Sequence, residues 1–383
     1  MSRPQSPQGG AAGHFPVRPD GAGAGRSIRA VKVTLADVAA RAGVSQATVS
    51  RVLNSKPGVA ATTRTAVLSA LDEHGYEGSA RPVRRTAGLV GLVLPELDNP
   101  IFPAFASAVA AGLAQHGYTP VLCTQSFGGV HEDDYVRMLL DRQVAGIVFI
   151  SGLHANVDAD PARYRALVER GLPIVLVNGD LPGVAAPSVS NDDTASVELA
   201  VGHLAQLGHR RIGLAIGPRR YVPVIRKLAA FPKAMARHLP GALDARELGS
   251  LVECTHFTVE GGMAAAGALL DRGCTAVVCG SDLMALGAVR AVRERGLRVP
   301  EDVSVVGSDD SLLIGYTDPP LTTVRQPVPA MGAAAVDALL DVIAGLTSPR
   351  VEYVFRPELV VRGSTGPART GRRDPVTLSP AGS

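Results

Sequence analysis

At 383 residues the chain is too long for one ordinary domain and long enough for two or three. Hydrophobic residues at 46% and charged residues at 19% exclude a wholly disordered polymer, and no run approaches the ~18 apolar residues that a membrane-spanning helix needs. A formal charge of only +3 excludes a generally polycationic nucleic-acid coat, so any basic surface must be local; nearly a quarter of the lysines and arginines precede residue 65.

Residues 1–32 are rich in Gly, Ala, Pro, Ser and Arg and carry few large apolar side chains, so a flexible tail is expected. Next comes TLADVAARAGVSQATVSRVLN, Thr34 to Asn54. Leu35, Val38 and Ala39 form one helical stripe, and Gly43 can take the positive φ that ends a helix. Ser45 is a suitable N-cap for a second helix from Gln46 to about Asn54, burying Val49, Val52 and Leu53. Its outer face would then be Gln46, Ala47, Thr48, Ser50 and Arg51. Small hydrogen-bonding groups plus a guanidinium suit base edges and phosphates, which makes this a helix-turn-helix candidate. A Pro-Gly loop leads to a third helix over about 62–74, with Ala66, Val67, Ala70 and Leu71 on its apolar side. GSARPVRRTAG then reads as a linker over 79–88.

From Leu89 the pattern changes to alternating apolar strands and helices: LVGLVLP, then IFPAFASAVAAGLAQHG, YTPVLC, EDDYVRMLLDRQ, AGIVFIS, PARYRALVERG and LPIVLVN. The alternation resumes with RRIGLAIG and continues to VSVVGS. Such spacing predicts βαβ units, two open parallel α/β sheets, and a ligand crevice at the strand ends. His203 and His209 read as polar surface residues. Cys123, Cys254, Cys274 and Cys279 show no zinc spacing, so reduced thiols in a cytoplasmic protein are expected, with no cofactor and no metal. Residues 365–383 are again polar and flexible in expectation.

These motifs resemble bacterial regulators of the lactose-repressor (LacI/GalR) type over roughly 34–364. The resemblance rests on the Thr34–Asn54 signature, R-x-x-V-L-x-A-L-x-x-x-G-Y at Arg64 to Tyr76, and five core motifs: LDNPIFP (Leu97–Pro103), LGHRRIG (Leu207–Gly213), SDLMALG (Ser281–Gly287), VPEDVSVVGSDD (Val299–Asp310) and LTTVRQP (Leu321–Pro327). It implies an α/β architecture: a three-helix head (33–78) and a two-lobed, periplasmic-binding-protein-like core (89–364). The lobes are expected over 89–206 with 313–343, and 207–312 with 344–364.

The resemblance further implies a homodimer on a near-palindromic double-stranded operator, close to the nucleoid, whose affinity for DNA is set by a small effector held between the lobes. By position, Gln46, Ala47 and Arg51 face bases; Thr34, Ser45, Thr48, Ser50 and Asn54 face phosphates; and Tyr76 lies near the backbone. Val83 stands at the minor-groove wedge position, in a hinge shorter than the family's and interrupted by Gly78 and Pro82, so weaker operator bending is expected. The effector set maps to Asn99, Phe102, Ser151, Asn178, Arg226, Lys227, Phe257, Asp282 and Asp309. Lys227 stands where the family carries arginine, Ala230 where it carries glycine, and Ser308 where it carries an aromatic. Carboxylates, amides, a cation and an aromatic face suit a sugar. A solute-binding module and an α/β enzyme using the same crevice are the alternatives. The GxSxG and Walker patterns such an enzyme would show are absent.

Overall fold

The computed structural model describes residues 34–53, 58–73, 87–125, 129–241, 244–346 and 350–369. The expected contacts of Asn54, Tyr76 and Val83, hinge residues 79–86, residues 1–32 and residues 370–383 lie outside the described residues. Residues 365–369, expected as flexible tail, are instead hydrogen-bonded to the core, with the Ala368 N–H donating to the Leu207 carbonyl at 2.8 Å. The chain divides into two compact units, residues 1–83 and 84–383.

Three helices make the described part of the first unit: α1 (Leu35–Ala42), α2 (Gln46–Leu53) and α3 (Ala61–Glu73). Thr34 opens α1 with a reciprocal capping box: its Oγ1 accepts from the Asp37 N–H, and Asp37 Oδ2 accepts the Thr34 N–H at 2.7 Å. Gly43 closes the helix at φ 65°, where a side chain would be strained. Ser45 Oγ accepts the Thr48 N–H at 3.2 Å and so caps α2. Val38, Ala39, Val49, Val52, Val67 and Ala70 form the small core, with Leu35, Val44, Val59 and Leu71 packed at its edge. Leu53 and Ala66, expected inside, are exposed: with three short helices the buried stripe is narrow, and both residues fall beyond it. Replacing Thr34 with Ala removes the capping box and is expected to cost about 1 kcal/mol of local stability, read as faster amide exchange across α1.

The second unit begins with β1 (Gly88–Leu94), α4 (Ile101–Gln115), β2 (Tyr118–Thr124), α5 (Glu132–Asp141), β3 (Gly146–Ile150), α6 (Ala162–Glu169), β4 (Ile174–Val177) and β5 (Ser188–Asn191). It continues through α7 (Asp193–Gln206), β6 (Ile212–Ile216), α8 (Val222–His238), α9 (Ala245–Ser250), β7 (Val252–Cys254), α10 (Val259–Asp271), β8 (Ala276–Cys279), α11 (Asp282–Glu294) and β9 (Ser304–Asp309). The last elements are β10 (Thr322–Arg325), α12 (Val328–Ile343), β11 (Glu352–Phe355) and β12 (Glu358–Val360).

Two six-stranded sheets result, in the orders β11-β5-β4-β3-β1-β2 and β12-β10-β9-β8-β6-β7. All pairs are parallel except β10 with β12, an antiparallel edge in an otherwise parallel sheet. The buried runs of β1 and β3 are continuous rather than alternating because helices cover both faces of the sheet. The lobe boundaries differ from expectation. Helix α7 packs into the second lobe's core through Val197, Ala200, Val201 and Leu204, so the first crossing falls near Asp192. Strand β10 belongs to the second sheet, α12 and β11 to the first and β12 to the second, so the chain crosses between lobes again between β10 and α12 and once more after β11. Short strands and a polar β5 carry too little periodicity for the sequence to locate those crossings. His209 is also not at the surface. It is 2% exposed, its Nδ1 faces Thr275 Oγ1 at 2.9 Å, and its Nε2 faces Ser304 Oγ at 2.9 Å and the Gly366 carbonyl at 3.1 Å, pinning the C-terminal segment to the second sheet.

Candidate functional site

Parallel α/β sheets present their strands' carboxyl ends to a shared crevice, because the strand ends leave free backbone groups and the turns there are irregular. Here residues at the carboxyl ends of eight strands meet around one cleft of about 350 Å³. The first lobe supplies Glu96, Asn99 and Phe102 after β1, Ser151 after β3 and Asn178 after β4. The second supplies Arg220, Tyr221 and Lys227 after β6, His256 and Phe257 after β7, Ser281 after β8, Asp309 at the end of β9 and Gln326 after β10.

The backbone at these turns is constrained. Ser151, Asn178 and Asp309 have φ of 48°, 64° and 111°, a left-handed region that non-glycine residues occupy when surrounding structure forces it, often at binding sites. Asn178 Nδ2 donates to Ser151 Oγ at 3.1 Å, tying the two first-lobe turns together. Phe257 lies against Gly217 and Gly280, where a Cβ on either glycine would crowd its ring. The aromatic face is thus pressed into place by two positions that lack side chains.

Asp309 is buried and accepts from Gln326 Nε2 at 2.6 Å, leaving Gln326 Oε1 without a partner among the described residues. Burial pushes the Asp309 carboxyl well above the usual range, Asp282 adds to the rise, and Lys227 opposes it. Lys227 Nζ sits 3.2 Å from Asp193 Oδ1, so the cation is shared between α7 and the cleft. Burial also raises the Asp193 and Glu96 carboxyls. Asp309, Gln326, Asn99, Ser151 and Asn178, facing Phe102, Tyr221 and Phe257, can hydrogen-bond hydroxyls around an apolar ring face.

Seven of the nine expected effector residues therefore line the cleft: Asn99, Phe102, Ser151, Asn178, Lys227, Phe257 and Asp309. Arg226 does not. It is one residue, about 100° of helix rotation, away from Lys227, and its Nη1 pairs with Glu352 Oε1 at 2.8 Å, from α8 to β11 across the two lobes. Asp282 does not either. Its carboxylate accepts the Ser311 N–H at 2.7 Å and the Thr323 hydroxyl at 2.7 Å, holding the loop after β9, and burial raises its pKa to about 6. The N-cap of α11 is Ser281, whose hydroxyl accepts the Met284 N–H at 3.2 Å. Sequence reasoning missed Glu96, Arg220, Tyr221, His256, Ser281 and Gln326. Gln326 and Ser281 were within its reach, because they follow strands β10 and β8 within two residues, inside the LTTVRQP and SDLMALG motifs.

In the helical unit, Gln46, Ala47 and Arg51 are exposed on α2 while Val49 and Val52 are buried, so the polar face and the packing face separate cleanly. Ser45 Oγ and Thr48 Oγ1 lie 3.0 Å apart at the N-terminus of α2, Thr34 is exposed, and Ser50 is half-buried. Backbone N–H groups and hydroxyls there form the kind of surface that holds phosphates.

A model of bacterial regulatory proteins of the lacI family matches residues 34–79, and one of a periplasmic binding protein-like domain matches 201–365. The HTH-type transcriptional regulator reg1 of Streptomyces lividans is 60% identical over 340 residues, 88% of this chain and 99% of that protein. The chain belongs to the LacI family. This LacI-family protein is a DNA-binding transcriptional regulator and not an enzyme. Among solved structures it is similar to a transcriptional regulator CelR–cellobiose complex, at 35% identity and a TM-score of 0.63, covering 87% of this chain and 99% of that one. It is also similar to a lac repressor dimer bound to operator and an anti-inducer, at 29% identity and a TM-score of 0.62, covering 87% and 99%. No helix among the described residues of this LacI-family chain is long and apolar enough to cross a membrane.

Proposed function

We propose that this LacI-family regulator is a cytoplasmic repressor, active at the nucleoid, whose operator affinity is controlled by a carbohydrate bound between the core lobes. The observation that carries the reading is the cleft: amides, hydroxyls and a buried carboxylate on both lobes, facing three aromatic rings, in a volume suited to a small molecule. The effector favours one relative orientation of the lobes and shifts the population of operator-binding dimers. A mobility shift of the full chain on the promoter fragment upstream of its own gene, with cellobiose and a panel of other disaccharides, tests this. Retardation that no sugar alters would overturn the carbohydrate reading, and no retardation would overturn the operator reading.

The homodimer reading rests on one surface of the second lobe. Leu312, Leu313 and Tyr316 are 85%, 71% and 86% exposed. They adjoin an open groove lined by Leu286, Val289, Pro319 and Leu321. A second copy covers such a patch by two-fold symmetry, which matches a near-palindromic operator. On the operator, Gln46 suits adenine and Arg51 suits guanine, while Ala47 offers only a methyl contact to thymine. Arg51→Ala is expected to cost about 1–3 kcal/mol and to relax one base preference, measured by competition among single-base operator variants. Equal loss on every variant would count against base readout.

A further inference from the structure

Behind the first-lobe wall of the cleft lies a buried carboxylate that touches no ligand position. Glu132, the first residue of α5, is 0% exposed. Its carboxylate accepts from the Tyr164 hydroxyl, the Leu153 N–H at 3.1 Å and Gln125 Nε2 at 3.3 Å. A Cβ at Gly152 would collide with that carboxylate, so the loop passes over it with no side chain between. The next residue but one is tied from the same side. His154 Nε2 donates to the Val177 carbonyl at 3.0 Å, and its ring packs edgewise against Phe149 and Tyr164.

The other side of this loop does two things. Ser151 and Ala155 line the cleft. Just beyond them, Asn156 forms an antiparallel bridge with Tyr221, and the Val157 N–H donates to the Arg220 carbonyl at 2.8 Å. Arg220 and Tyr221 belong to the second lobe and line the cleft from there. A single loop therefore joins an internal anchor, the ligand wall and the opposite lobe.

We infer that Glu132 is a positioning residue: it holds loop 151–157 in the shape that clasps the second lobe around the ligand, and so sets how firmly the lobes close. The link to ligand rests on the effector reading of the cleft; the clasp itself does not. Inside the first lobe a carboxylate with three donors is a stiff anchor, because each alternative loop position leaves a buried charge short of a partner. Its place in the first turn of α5 adds the favourable end of the helix dipole.

The test is backbone amide exchange on the full-length chain, comparing wild type with Glu132→Gln and Tyr164→Phe, without ligand and with cellobiose. Without ligand, segments 151–157 and 218–221 should exchange faster by about tenfold or more, the factor set by losing one charge-assisted hydrogen bond, while β1 and β9 stay unchanged. Acceleration at 218–221 is decisive, since that segment is in the other lobe and a purely local packing role would leave it alone. Unchanged exchange at 151–157 in both variants, or equal acceleration across β1, β3 and β4, would overturn the inference. If cellobiose protects no cleft segment of the wild type, that counts against the sugar reading only, and the ligand-free comparison still decides the role of Glu132.

Discussion

Replacing Asp309 with asparagine is expected to weaken effector binding by about 10- to 100-fold, with little change in the operator affinity of the ligand-free protein. Asparagine keeps the shape and tolerates the positive φ of 111° that Asp309 adopts. It loses the charged acceptor, and a hydrogen bond to a charged group contributes about 1.5–3 kcal/mol. The effect is large because the carboxylate is buried, so its partners cannot be replaced by water without cost. Asp309 is buried, is held by Gln326, and has Lys227 as its nearby compensating cation. Titration calorimetry with the sugar that alters operator binding reads the affinity, and a mobility shift without sugar reads the control. Undiminished affinity in the variant would remove Asp309 from the effector set.

The second large effect is a dependence of stability on pH centred on His154. Its ring is 1% exposed, its Nε2 donates to Val177, and its Nδ1 has no partner among the described residues. Burial pushes its pKa down to about 4. A base with a depressed folded-state pKa must stay neutral in the native protein, while the unfolded chain takes up a proton near the ordinary value of about 6.5. The unfolded state then binds more protons between those values, so stability is held above about pH 6.5 and is lost as the pH falls toward about 4. The loss attributable to this residue reaches about 3 kcal/mol at the acid end. Half-buried His203 and buried His209 act in the same direction, burial lowering both. Asp309, Asp193 and Glu132 act oppositely, because burial raises their carboxyls and protonation favours the folded state. Comparing wild type with His154→Gln by urea denaturation at neutral and acidic pH isolates the histidine. The variant's acid limb should be flatter, and parallel limbs would refute the assignment.

Much of this molecule is legible in one dimension where a local rule is strong. The three-helix head follows from the capping threonine, the turn at Gly43 and the spacing of Val38, Val49, Val52 and Val67, all within a few residues of one another. The alternation of apolar strands and helices likewise specifies two parallel sheets, and the sheets place the cleft at their carboxyl ends. Positions at or just after a strand's carboxyl end, such as Ser151, Asn178 and Asp309, could therefore be named as candidates from the sequence.

What depends on long-range packing could not. Strand β5, with the sequence SVSN, is too short and polar to announce itself, yet it is buried between β4 and β11. Arg226 and Lys227 are adjacent in sequence, but a helix turns neighbouring side chains by about 100°. One lines the cleft and the other pairs with Glu352 across the lobes. Asp282 looks like a ligand in its motif and is consumed by Ser311 and Thr323, neither close to it in the chain. The sequence alone determined the family, the head and the sheet ends, because these rest on local periodicity and short motifs. Only the tertiary structure decided which side chains face the cleft, where the chain crosses between lobes, and that Glu132 and His154 lie buried behind the wall, because those follow from helix phase and from partners brought together by folding.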